Sequence, residues 1–146
     1  GWYYVRQCRV EREEAPSGDS CLTFKNETSG RPAHALQALG VDGKQIRALT
    51  LSVWVRGDDL LPGSQANEKP RILFEFYDAH RAPVGRASVG TWEGTFAWKQ
   101  EQFRIEAPSR ARLAVIGVGL FGATGRLSLD DVTISAAQLQ TSPPTK

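Results

Sequence analysis

The amino-acid sequence predicts an all-β domain, an antiparallel sandwich or barrel. Helical periodicity is nearly absent, and short alternating apolar and polar runs dominate. Gly and Pro interrupt those runs at intervals of roughly a dozen residues. With 146 residues the chain is of single-domain size and long enough to bury a core unaided by metal or disulfide. Strands are expected near residues 2–12, 20–26, 32–40, 46–57, 70–78, 84–91, 99–106, 111–121 and 127–135. Turn chemistry separates them at Pro16-Ser17-Gly18-Asp19, Ser29-Gly30-Arg31-Pro32, Val41-Asp42-Gly43-Lys44 and Ala107-Pro108-Ser109. The longest connection expected, Gly57 to Pro70, is polar. Residues 1–136 form the expected domain. Residues 137–146, with Thr141-Ser142-Pro143-Pro144-Thr145, have the composition of a linker.

The strand 49–56 shows most clearly why these elements form. Side chains alternate across a strand, so Leu49, Leu51, Val53 and Val55 make one wholly apolar row. Thr50, Ser52, Trp54 and Arg56 make the opposite one. Between residues 71 and 77, Ile72, Phe74 and Phe76 oppose Arg71, Leu73, Glu75 and Tyr77. Gln37 is a polar insertion in the apolar run Ala35 to Leu39, and Trp98, Gln100, Gln102 and Arg104 oppose Phe103 and Ile105. These strands share an apolar row and a polar row carrying aromatics. Such a polar row suits a sugar, whose C–H faces pack on aromatic rings while its hydroxyls bond to amide, carboxylate and guanidinium groups. Trp54, Arg56, Gln37, Arg71, Glu75, Tyr77, Trp98 and Gln100 are therefore the expected carbohydrate-binding residues, provided they lie side by side.

The run Leu36-Gln37, Val41-Asp42-Gly43-Lys44 and Leu49 to Arg56 resembles jelly-roll carbohydrate-binding modules of the galactose-binding-like type that bind xylan or β-glucan. The likeness continues through Trp98, Ala107-Pro108, Ala111 to Gly119, Gly125 and Leu129-Asp130-Asp131-Val132. The resemblance implies a jelly-roll sandwich that is no enzyme but holds a polysaccharide or oligosaccharide on a concave sheet and targets a covalently linked catalytic domain. It also implies a secreted or cell-surface setting. Modules of this kind often carry a structural calcium, which by position would be held by Asp130 with Glu11 or Glu13. Asp130 is in phase with Val132 and Ile134, and an inward carboxylate needs a partner. Backbone hydrogen bonds or an arginine would serve Asp130 equally well. The competing overall reading is a ligand-free structural sandwich that packs on a neighbouring domain.

Other functions find less support. The formal charge is +2 with signs interspersed, which gives no basic stripe for nucleic acid. No apolar run approaches the length of a membrane-spanning helix. The chain opens on Gly1 and lacks methionine, as expected of a processed or excised piece whose export signal lies elsewhere. Gly117-Val118-Gly119-Leu120-Phe121-Gly122 imitates a dinucleotide fingerprint, but an alternating strand follows it rather than a helix. His34 and His80 accompany no nucleophile motif, and Glu75 and Glu93 lie in different segments with nothing to pair them as glycosidase carboxyls. Cys8 and Cys21 enclose a short loop; a bridge there would contribute roughly 3 kcal/mol, and two unbridged thiols are as well supported. Asn26-Glu27-Thr28 matches the glycosylation sequon, a pattern too short to decide anything alone.

Overall fold

The computed structural model describes residues 5–138. Nine strands lie among them: β1 (Cys8–Ala15), β2 (Gly18–Asn26), β3 (His34–Gly40), β4 (Ile46–Leu61), β5 (Arg71–Tyr77), β6 (Pro83–Gly90), β7 (Gly94–Glu106), β8 (Leu113–Gly119) and β9 (Thr124–Gln138). All pairings are antiparallel. One sheet runs β1-β2-β9-β4-β7 and the other β3-β8-β5-β6, and they face each other as a jelly-roll sandwich. The strand expected to start at residue 2 and the tail 139–146 fall partly or wholly outside the described residues.

Period-two patterning builds the core. Leu49, Leu51, Val53 and Val55 are at most 2% exposed and meet Ile72, Phe74 and Phe76 of β5, which are at most 1% exposed. Ala114, Ile116 and Val118 of β8 and Leu127 and Leu129 of β9 complete the layer. Each such side chain contributes on the order of 1.5–3 kcal/mol through removal from water.

Three expectations need correction. First, β4 does not stop at Gly57 but runs on to Leu61, because register shifts after Val55 and Gly57 let it keep pairing with Phe96 and Gly94 of β7. Gly57 is needed there, since a Cβ would lie 2.6 Å from the Phe96 ring. The connecting loop is therefore shorter than expected and begins at Pro62. Second, Gln37 sits on the inner row of β3, opposite Ile116, not on a wet face. Third, Asp130 is out of phase with Ile134. Asp130 pairs with Trp54 and Ile134 with the inward Leu51, and a register shift at Asp131, whose φ is 50°, separates them. Of the two readings open for the cysteines, the structure has the unbridged one: Cys8 stands opposite the core residue Phe24, whereas Cys21 stands opposite Glu11 on the outer row. The two thiols point to opposite sides of the sheet and are not joined in a disulfide. Burial pushes the Cys8 thiol up to about 11.

The sequon asparagine is part of the fold. Asn26 is 2% exposed, and its amide donates to the carbonyls of Thr28 and Ala123 at 2.8 Å each. Its Oδ1 accepts from the Thr28 N–H at 3.2 Å. No surface is left there for a glycan.

Candidate functional site

The eight sugar-binding candidates do not lie side by side. Trp54, Arg56, Trp98 and Gln100 stand on the outer face of the five-stranded sheet, and Arg71, Glu75 and Tyr77 on the outer face of the four-stranded sheet. The whole core separates the two groups. Gln37 belongs to neither, and with Leu39, Val132 and Ile134 it lines a hollow of about 610 Å³ between the layers.

Across the four-stranded sheet, outward side chains fall into ordered rows. His34, Gly119 and Arg71 form one row; Leu36, Gly117, Leu73 and Ser88 the next. Ala38, Val115, Glu75 and Arg86 follow, and Leu113 and Tyr77 lie beyond them. The central strand β8 thus presents glycine in two successive outward positions. The space above Gly117 is occupied by the Phe121 ring, whose edge would stand 3.0 Å from a Cβ there. Phe121 stacks on His34 at 4.8 Å between centroids and 12° between planes. The Arg71 guanidinium lies 4.5 Å from the Phe121 centroid. Arg71 is held by Nη1 donating to the Asn67 and Lys69 carbonyls at 2.5 and 3.0 Å, so the 62–70 loop fixes its direction. Hollows of about 430 and 210 Å³ flank it, the first beside Leu73, Arg86 and Ser88, the second beside His34, Phe121 and Glu68. Burial, then the charges of Arg6 and Arg71, lower the His34 pKa below its ordinary value.

An aromatic ring therefore lies toward each end of this face, Phe121 over the Gly117–Leu73 row and Tyr77 four residues along β5, about 13 Å apart along the strands. Glu75, Tyr77, Arg86 and Ser88 make no side-chain hydrogen bond or ion pair within the described residues. Glu75 and Arg56 lie in different sheets, and Arg56 pairs with Asp58 at 3.6 Å.

The five-stranded sheet's outer face is partly closed. Cys21, Thr23 and Ser128, all on its outer row, are at most 4% exposed, and Thr23 and Ser128 share a 3.3 Å hydrogen bond. Arg56 lies over Trp98, 5.3 Å from the ring centroid. The half-buried Trp54 stands between Asp130 and Gln100.

Asp130 accepts from the Ser17 N–H and hydroxyl at 2.8 and 2.9 Å, and from the Asp131 N–H at 2.9 Å. Glu11 pairs with Arg9 at 3.3 Å, and β2 lies between it and Asp130, so the two carboxylates are not brought together. Among the described residues no group of three His, Cys, Asp or Glu could hold a metal ion. His80 sits in the β5–β6 turn, where Asp78 accepts its N–H, far along β5 from His34's row.

Phe121, His34 and Arg86 were not among the expected binding residues. The signal for Phe121 was the glycine run 117–122, whose outward glycine leaves the ring its berth.

No protein-family model matches the chain, and no curated protein matches its sequence. Solved structures do match its shape. A family 16 carbohydrate-binding module aligns at a TM-score of 0.59 and 15% identity, over 92% of this chain and 89% of the module. The CBM22-1 xylan-binding domain of Paenibacillus barcinonensis Xyn10C aligns at 0.57 and 16%, over 96% and 88%. The fold is that of carbohydrate-binding modules. The enzymatically active domain of bacteriophage CBA120 tailspike protein 4 also aligns, at 0.63 and 12%, but this chain spans only 19% of it.

Proposed function

We propose that this domain is a non-catalytic carbohydrate-binding module and that the outer face of its four-stranded sheet receives the glycan. One observation carries the reading: Glu75, Arg86 and Ser88 stand in adjacent rows that run from Phe121 to Tyr77, and neither these three nor Tyr77 has a side-chain bonding partner among the described residues. The Tyr77 ring packs on a sugar C–H face, while Phe121, held by His34 and Arg71, bounds the other end. Carboxylate, guanidinium and hydroxyl groups bond to sugar hydroxyls, and Arg71 is already aimed by its loop carbonyls. Neighbours of the same fold point to the ligand class. One is described as xylan-binding, one was solved with xylohexaose and one with β-1,4-galactotriose. Neutral β-linked polysaccharides are thus the first substrates to try. The role follows from weak binding per sugar: outside the cell, such a domain raises the local concentration of an attached catalytic partner at its polymer.

Electrophoresis through gels containing xylan, β-1,4-galactan or mixed-linkage β-glucan tests the site. Wild type is expected to be retarded in at least one gel. Tyr77→Ala and Glu75→Gln should run at least severalfold less retarded, with unchanged melting temperature. Absence of retardation in every gel would overturn the assignment in favour of a scaffold sandwich without ligand.

A further inference from the structure

The outward row of β7 carries Trp98, Gln100 and Gln102 in succession, and farther along it Arg104 and Glu106 pair with each other at 3.0 Å. On the neighbouring strands Ser52 stands between Thr133 and Gln102, and Trp54 between Asp130 and Gln100. Gln100, Gln102 and Thr133 are exposed, and Ser52 and Trp54 are half-exposed. Their one mutual bond is the weak 3.4 Å contact from Gln100 Nε2 to Ser52 Oγ. Gln102 and Thr133 make no side-chain hydrogen bond within the described residues. A large indole beside exposed hydroxyls and amides, on a strand whose apolar row already fills the core, has the chemistry of a sugar platform.

We propose that this part of the five-stranded sheet is a second glycan-binding surface, independent of the first and back-to-back with it. Trp54 packs on the C–H face of a neutral polysaccharide. Ser52, Gln100, Gln102 and Thr133 exchange hydrogen bonds with its hydroxyls. The inference rests on the reading of the protein as a carbohydrate-binding module, and the two can fail separately.

The test is a titration of the whole ¹⁵N-labelled chain with xylohexaose, β-1,4-galactotriose and a soluble β-glucan oligosaccharide, followed by NMR. The Trp54 indole and the Gln100 and Gln102 side-chain amides report on this face, and the β5 backbone amides on the other. Saturable shifts in both groups are expected. Trp54→Ala, or the fully exposed Gln102→Lys where the first variant loses its dispersed spectrum, should weaken the first group at least tenfold and leave the β5 midpoint unchanged. Shifts in β5 alone would overturn the second surface and leave the first standing. Shifts at Trp54 alone would support the second surface and overturn the assignment to the four-stranded sheet. Absence of shifts with every sugar would overturn both. Trp54 shifts on dilution without sugar would overturn the proposal by making the face a contact between copies.

Discussion

Single side chains decide which groups are available for binding and which are structural. Asn26 is structural: three hydrogen bonds tie the β2 end to the 119–124 turn and the segment after it. Asn26→Ala strands the Ala123 carbonyl and should cost about 1–3 kcal/mol, read as a lower melting temperature. His34 adds a pH dependence. Its folded pKa lies below the unfolded value, so the unfolded chain takes up the proton first as pH falls. The stability due to neutral His34 is complete above the ordinary histidine range and is lost as pH drops through the folded pKa. Denaturant midpoints measured from pH 7.5 to 5 should fall, and less steeply in His34→Asn. Some of this was legible beforehand. The outward direction of Arg71, Glu75 and Tyr77 followed from strict alternation with Ile72, Phe74 and Phe76. Gln37 did not, because Ala35 to Leu39 is apolar on both rows and offers no phase to read.

At the scale of elements, β4 and β8 do opposite work. β4 is paired on both sides, between β9 and β7, and supplies four consecutive inward side chains to the core, so Leu51→Ala should cost about 2–5 kcal/mol by denaturant unfolding. β8 contributes smallness instead. Gly117→Val would drive the Phe121 ring off its place between His34 and Arg71, costing about 1–3 kcal/mol by overpacking and weakening glycan retardation as well. A strand's two faces can be read from its own residues, but the layer it joins cannot. β4 and β5 carry the same pattern of apolar inward and mixed outward rows, yet they pair with different partners. Pairing is a long-range choice, and it set Trp54 and Tyr77 on opposite sides of the molecule. The length of β4 was hidden for a local reason: Asp58 and Asp59 look like loop residues, whereas bulges carry the strand past them.

For the molecule as a whole, the near-neutral balance of +2 and the proposed neutral glycan imply that ion pairing contributes little to binding. Retardation on a neutral glycan should change less than twofold between 50 mM and 500 mM salt, whereas capture of an acidic polymer would fall steeply. The positions of the chain's two described ends have a mechanical consequence. Arg6 donates its N–H to the His34 carbonyl at one pole of the sandwich, while Gln138 pairs with Ile46 beside the turn after β3, at the other pole. Tension applied between these ends pulls along the strands, so the hydrogen bonds that cross from β1 to β2 and from β2 to β9 are loaded in shear together rather than peeled one at a time. Stretched in this direction, the domain should unfold at high force in a single step. A tethered polymer dragging on it would meet a stiff bead rather than a spring.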